Sequence, residues 1–250
     1  MDSGSVTFSA LTADFAKRAG LTTNKEGKAT LPLSIGSFQT KPIEFTVTNA
    51  MEKIGEGSQK SDMEFTDGIL GCTLFDQCKI TIDYPAGKIA FSPFSDEGAK
   101  AVKGESAVVP FEYLKYKDSE KSIVGVFVPA QIETKDGKKQ EVVYCIDTAC
   151  NSMQVDSETA KAIGLPKVNF FQDTASGKRY DIVQAASLSL PGLRWRNVNM
   201  VVYDHGQLKL AKEQTGKHVV GLIGTWILQR YIVTFDYHNK EVTFVVPPKK

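Results

Sequence analysis

The sequence predicts an all-β fold with a few short helices, assembled from two similar halves. Three observations carry that reading. Motifs recur in both halves at matched offsets, apolar residues alternate with period two between Gly and Pro signals, and the helical patterns are brief. With 250 residues, 42% of them hydrophobic and 24% charged, the chain can fill one large core or two smaller ones. A net charge of +1 supplies no electrostatic drive towards nucleic acid or an anionic membrane, so neither is expected as a partner. Apolar runs such as 219–223 and 227–235 fall well short of the roughly 20 residues of a membrane span.

The first copy opens at Asp2-Ser3-Gly4-Ser5 and the second at Asp147-Thr148-Ala149-Cys150. Each leads into a short helical pattern, 12–21 and 157–165, with Thr12 and Ser157 as hydroxyl N-caps and Gly20 and Gly164 as stops. A hairpin follows in each. Residues 30–35 turn at Gly36-Ser37 and return through 43–47, while 186–190 turn at Pro191-Gly192 and return through 198–202. The ends match best. Asp67-Gly68-Ile69-Leu70-Gly71 aligns with Val220-Gly221-Leu222-Ile223-Gly224, and twelve residues beyond each final glycine stand Asp83-Tyr84 and Asp236-Tyr237. Seven residues past each tyrosine is a phenylalanine, Phe91 and Phe244. The join falls at 96–106, which lacks apolar periodicity, so 1–95 and 107–250 are read as two lobes. Residues 55–62, rich in Gly and polar side chains, read as an exposed loop.

Each copy sets an aspartate, a hydroxyl residue and a small residue at a strand end, as in Val142-Val143-Tyr144-Cys145-Ile146-Asp147. Singly, such a triplet is ordinary turn chemistry. Two related lobes facing one another about a pseudo-twofold axis would bring Asp2 and Asp147 together. Carboxylates that close cannot both ionise, so they share a proton and titrate as a pair. The ionised member can take a proton from a water, and the protonated member can donate to a carbonyl oxygen under attack. That is peptide hydrolysis without metal or covalent intermediate. No CxxC spacing is present, and His205, His218 and His238 are scattered away from the cysteines, so neither metal nor cofactor is expected. Cys72, Cys78, Cys145 and Cys150 allow two disulfides in three connectivities or remain buried thiols. The compartment stays open, with an oxidising one, secreted or periplasmic, favoured by the even count. A cysteine nucleophile finds no supporting spacing, and Arg194-Trp195-Arg196 reads as a solvated hairpin edge.

Both halves resemble the retropepsin-like aspartyl proteases, joined here as in a bilobal pepsin-like chain. The resemblance rests on the Asp-Ser/Thr-Gly/Ala triplets, the Gly-Leu helix ends, the hairpins, Gly-Ile-Leu-Gly and Gly-Leu-Ile-Gly, and the Asp-Tyr strands. It implies an aspartic endopeptidase with Asp2 and Asp147 catalytic and a polypeptide substrate lying between the lobes. It implies too that Ile69-Leu70-Gly71 supports Asp2, that Leu222-Ile223-Gly224 supports Asp147, and that Ser3 and Thr148 interlock while Ser5 bonds Asp2. The turn at Gly36-Ser37-Phe38 is read either as a flap or as a plain surface hairpin.

Three departures set a second expectation beside the first, a catalytically inactive peptide-binding module of the same fold. Ala149 stands where the family has glycine, and its methyl is expected to crowd a close approach of backbones. Cys150 occupies the place of Ser5, with a weaker donor. About forty residues of strand pattern lead into Asp147, whereas only Met1 precedes Asp2. The first lobe is therefore expected to lack its N-terminal strands, with a separate N-terminal fragment as the partner that completes it.

Overall fold

Strands from both halves meet in one five-stranded sheet, which sets the relation between the copies. The computed structural model describes residues 2–3, 9–48, 67–95, 104–173 and 177–247. At the centre of the shared sheet, β7 (Lys79–Asp83) and β18 (Ile232–Asp236) run antiparallel. They are flanked by β8 (Lys88–Ser92) on one side and by β19 (Glu241–Val245) and β9 (Ser106–Pro110) on the other. Thr81 lies opposite Thr234, ten residues beyond Gly71 and Gly224 respectively, so each faces its own counterpart. Their hydroxyls are 2.8 Å apart. A residue opposite its own copy marks a local twofold axis.

Alternation explains why this sheet buries as it does. Ile80, Val233, Phe235, Val242 and Phe244 are buried, and Phe75 packs edge-on against Phe235 with ring centroids 5.5 Å apart. Lys79 and Asp236 form a buried ion pair between the halves at 3.1 Å, each side chain 10% exposed. Asp236 also accepts from the backbone N–H and side-chain amide of Asn239 at 3.0 and 2.9 Å.

The first half builds a four-stranded sheet in the order β2 (Lys28–Leu31), β5 (Ile43–Thr48), β1 (Ser9–Thr12), β6 (Gly68–Ile69). The hairpin read between 30 and 47 is present, its tip twisted off as a ribbon of β3 (Ser34–Ile35) and β4 (Phe38–Gln39). The second half runs β13 (Gln154–Val155), β16 (Leu193–Val202), β15 (Arg179–Leu190), β11 (Ser122–Glu133), β12 (Lys139–Ile146), β17 (Val219–Ile223). A bridge from Met153 to Ile223 brings the last strand back beside the first, so this sheet closes on itself. Equivalent strands pair alike. β1 runs parallel to β5 with Ala10 beside Thr46, as β13 runs parallel to β16 with Gln154 beside Val201.

Two strands lack a sequence signal. β10 (Glu112–Lys115) adds to β11, and β14 (Lys167–Gln172) adds to β15 with every residue exposed, which leaves it no apolar alternation to read. In the Arg194-Trp195-Arg196 run the arginines face outward, while Trp195 is buried and donates to the Tyr231 hydroxyl at 2.7 Å.

The helices are short and sit at matched places: α1 (Ala13–Arg18), α2 (Cys72–Phe75), α3 (Ser157–Ala162) and α5 (Thr225–Leu228). α4 (Gly206–Thr215), ended by Gly216 at φ 75°, belongs to the second half and was missed in the sequence. Thr12 caps α1, accepting from Phe15 N–H. The cap of α3 is Asp156, one residue before the Ser157 expected: its carboxylate accepts from Thr159 N–H at 2.6 Å, while the Ser157 hydroxyl donates to Asp204 at 2.8 Å. A carboxylate at the positive end of a helix outcompetes the adjacent hydroxyl for those donors. Gly4, Ser5, the loop 55–62 and residues 96–103 of the expected linker lie outside the described residues.

Burial alone would raise the Asp236 carboxyl, but the Asn239 donors and the Lys79 ammonium outweigh it and hold it below the usual carboxylate range. A depressed folded value stabilises the fold above the ordinary carboxylate range, and that contribution is lost as pH falls through the depressed value. Lys79→Ala leaves the buried carboxylate unpaired and is expected to cost about 3 kcal/mol at neutral pH, a loss that shrinks in acid. Urea unfolding of the variant and the parent across pH checks both the magnitude and the trend.

Candidate active site

Asp147 sits where β12 ends. This strand runs parallel to β17, with Cys145 beside Leu222 and Ile146 beside Ile223, and the Asp147 N–H donates to Ile223 O at 3.0 Å. In the first half, Asp2 N–H donates to Leu70 O at 2.9 Å, the same bond at the equivalent place. Each aspartate is thus hung from the second apolar residue of its glycine-flanked strand.

Between the copies the two hydroxyl residues cross. Ser3 N–H donates to Thr148 Oγ1 at 3.1 Å, and Thr148 N–H donates to Ser3 Oγ at 3.0 Å. The Ser3 hydroxyl in turn donates to Ile146 O at 2.9 Å, and Ser3 is fully buried. This exchange sets Asp2 and Asp147 near enough for the charge of one to act on the other. Asp147 Oδ1 accepts from the backbone N–H groups of Ala149 at 2.8 Å and Cys150 at 3.2 Å. Burial and the charge of Asp2 raise Asp147 well above the usual carboxylate range, against the pull of those two amides. Paired acids of this kind hold one proton between them where isolated carboxylates would both be charged.

Residues 128–225 match the aspartyl protease family model. Over those residues the sequence is similar to the aspartyl proteases. The fold is similar to that of the aspartic proteinase from Irpex lacteus, at 13% sequence identity and a TM-score of 0.50, covering 98% of this chain and 88% of that one. A retropepsin-like aspartic protease from Rickettsia conorii also matches, at 11% identity and a TM-score of 0.35, over 58% of this chain and 93% of that one. No curated protein matches the sequence.

The glycines around Asp147 have definite work. A Cβ at Gly224 would lie 2.3 Å from the carbonyl oxygens of both Cys150 and Ser152, and one at Gly221 would lie 2.2 Å from Gln154 O. The loop carrying Asp147 is therefore pressed against β17 and the start of α5, where Thr225 N–H donates to Cys150 O at 2.8 Å. Ala149 is different. It is exposed and its φ is not in the left-handed region, so the crowding expected from its methyl does not arise. The Cys150 thiol points to Ser152 O at 3.3 Å, and its backbone N–H is what reaches Asp147.

Support is unequal in the two halves. Leu222, Ile223 and Gly224 are buried, whereas Ile69 and Leu70 are half-buried beside a buried Gly71. The turn at Gly36, with φ 59°, docks on the shared sheet, where Phe38 stacks on Phe91 with centroids 6.1 Å apart. Its counterpart at Gly192 lies against Ala107 of β9, at the far end of that sheet.

All four cysteines are free thiols, and burial pushes each of them up, Cys72 to about 12 and Cys78 to about 11. None is a ready thiolate. Sequence reasoning missed one contact behind the dyad: the Tyr237 hydroxyl meets Cys72 Sγ at 3.4 Å, and Cys72 Sγ lies 3.8 Å from Ser3 O. The repeated Asp-Tyr pair was its signal, read only as alignment. A cavity of about 530 Å³ lies elsewhere, between α3 and α4, lined by Asp156, Tyr203, His205, Lys209 and His218 but by neither dyad carboxylate.

Two outcomes follow from this geometry. Gly224→Ala is expected to destabilise the protein by about 2–4 kcal/mol, because backbone oxygens cannot give way as side-chain ends can, while Ala149→Gly changes stability by less than about 1 kcal/mol. Chemical denaturation of both variants measures the contrast. For Asp147, a raised folded value means the folded state holds its proton more tightly. The contribution of Asp147 to stability is fullest below the ordinary carboxylate range and is lost as pH rises through the raised value. Asp147→Asn is expected to flatten that fall between about pH 4 and 7, read from unfolding free energies at a series of pH values.

Proposed function

We propose that this chain is an aspartic endopeptidase in which Asp2 and Asp147 activate one water between them. The observation that carries the reading is the crossed Ser3–Thr148 exchange, which sets the two carboxyls near one another, where burial and the charge of Asp2 raise Asp147. The ionised carboxylate takes a proton from the water as its oxygen attacks the peptide carbonyl carbon. The protonated carboxyl donates to the carbonyl oxygen, and proton return to the nitrogen releases the amine. A raised carboxyl keeps its proton at a pH where an isolated one would have lost it, so the singly protonated pair extends towards neutrality. The substrate is a polypeptide taken in extended form, bound partly through backbone hydrogen bonds.

A second reading, a peptide-binding module that does not cleave, draws on the half-buried Ile69-Leu70 strand beneath Asp2. A loosely seated Asp2 would bind without catalysing. Hydrolysis of denatured casein from acid to neutral pH separates the two. Under the endopeptidase reading, Asp2→Asn and Asp147→Asn each lower the rate by roughly 10²-fold or more. Full activity in either variant overturns the assignment. Absence of cleavage at every pH, with a statine-type inhibitor still raising the melting temperature, selects the binding module.

A further inference from the structure

Equivalent residues behind the dyad are used unequally in the two halves. Cys72 and Thr225 directly follow Gly71 and Gly224, and Tyr84 and Tyr237 stand just past β7 and β18. The Tyr237 hydroxyl reaches across to Cys72 Sγ at 3.4 Å, and both residues are 3% exposed. Cys72 Sγ in turn faces Ser3 O at 3.8 Å and Val124 O at 3.7 Å. The equivalent groups of the other half are arranged differently. Thr225 Oγ1 donates to Asn151 O at 3.3 Å, and the buried Tyr84 hydroxyl has no hydrogen-bond partner among the described residues. We infer that Cys72 and Tyr237 are positioning residues for Asp2, a buried hydroxyl–thiol relay that fixes the Ser3 carbonyl from below.

The chemistry of the groups assigns their roles. A carbonyl only accepts, so the single thiol proton goes to Ser3 O or Val124 O, and the Tyr237 O–H donates to sulfur. Burial pushes the Cys72 thiol up to about 12 and so keeps it a neutral donor. Sulfur donates weakly, but its place gives the bond leverage. Asp2 N–H is held by Leu70 O at 2.9 Å, and two residues later Cys72 opens α2. The dipeptide Asp2-Ser3 is thus held at its first N–H by Leu70 and at its last carbonyl by Cys72. The charges of Asp2 and Asp147 both act on the Cys72 thiol, which sets the relay beside the pair. Tyr237 is itself fixed by Phe75 and Phe111, with ring centroids 5.1 and 5.2 Å away. In the second half the residue equivalent to Cys72 works through its main chain, Thr225 N–H donating to Cys150 O at 2.8 Å.

The inference rests on the proposed pairing of Asp2 with Asp147, and its test does not require that the pair cleave anything. The full chain is compared with Tyr237→Phe, which keeps the ring and removes only the hydroxyl, with Cys72→Ala and with the double variant. Tyr84→Phe is the matched control from the other half. The infrared S–H stretch that disappears in Cys72→Ala is expected to move to higher frequency in Tyr237→Phe, because a thiol that loses its donor donates less strongly. The carboxyl carbon of Asp147 is then followed by NMR through pH, with the parent midpoint expected at about 7. Tyr237→Phe and Cys72→Ala are each expected to lower that midpoint by about half a pH unit or more, roughly a threefold loss of proton affinity, as Asp2 relaxes away. The double variant is expected to shift no further than the larger single one, since the two groups act as one chain. Tyr84→Phe leaves the midpoint unchanged. A role in packing alone would lower the melting temperature and leave the midpoint where it is. An unmoved midpoint or S–H stretch in Tyr237→Phe, an equal midpoint shift in Tyr84→Phe, or additive shifts in the double variant overturns the relay, and Tyr237→Phe decides if Cys72→Ala fails to fold. Casein hydrolysis is read separately. Shifted midpoints in a chain that cleaves nothing support the relay and sink the endopeptidase reading, whereas cleavage with unmoved midpoints sinks the relay alone.

Discussion

The rest of the structure depends on the axis that relates the two copies. It is fixed at two levels. In the shared sheet, Thr81 and Thr234 face one another across the central strand pair. Above it, Ser3 and Thr148 exchange backbone N–H and hydroxyl oxygen in both directions. A strand pair alone admits slippage in steps of two residues with the same faces kept inward. A hydroxyl exchange alone is too local to orient two sheets. Together they leave one relative placement, and in that placement the carboxyl groups beside Ser3 and Thr148 have nowhere to go but towards each other.

Bringing those acids together works against folding, and the core must offset it. The shared sheet and α2 do so with fully buried rings and branched side chains, Phe75, Phe235, Phe244, Ile80 and Val233, contributed by both halves. Each fully buried side chain of this kind contributes about 1.5–3 kcal/mol relative to exposure. The Lys79–Asp236 pair across the same sheet adds little net stability beyond apolar residues of similar size, but it disfavours any register that would strand one charge. The cost of burying two neighbouring acids is thus offset by the packing of the elements beneath them.

Much of this was legible in the residues. Offsets kept between Gly71 and Asp83 and between Gly224 and Asp236 required equivalent strands, and equivalent strands in one chain are most simply related by a twofold axis. The meeting of Asp2 and Asp147 followed from that step. What the residues hid has physical causes. β14 is exposed along its whole length and α4 is weakly amphipathic, so neither carries a hydrophobic period. The cap of α3 was misplaced by one residue because Asp156 and Ser157 are both good N-cap types, and only the fold decides which lies outside the helix. The expected crowding at Ala149 failed because a triplet pattern does not tell which of its residues meets another backbone. That contact falls on Gly224, two carbonyls deep.

The contrast between Ala149 and Gly224 bears on how such a site tolerates change. The carboxylate of Asp147 is held by backbone N–H groups, which every residue but proline supplies. Substitution at 149 or 150 therefore leaves those two bonds in place, provided the backbone keeps its course. That course is set from below by β17 and by Thr225, whose N–H takes up Cys150 O. The identity that matters is the one at the crossing, where no atom can be added. In the first half the equivalent crossing is formed, with Gly71 N–H donating to Ser9 Oγ at 3.1 Å, but its strand is paired along one edge among the described residues. A site built from two copies is only as stiff as its looser copy, so the behaviour of the pair is governed by Asp2 and by whatever backs the strand beneath it.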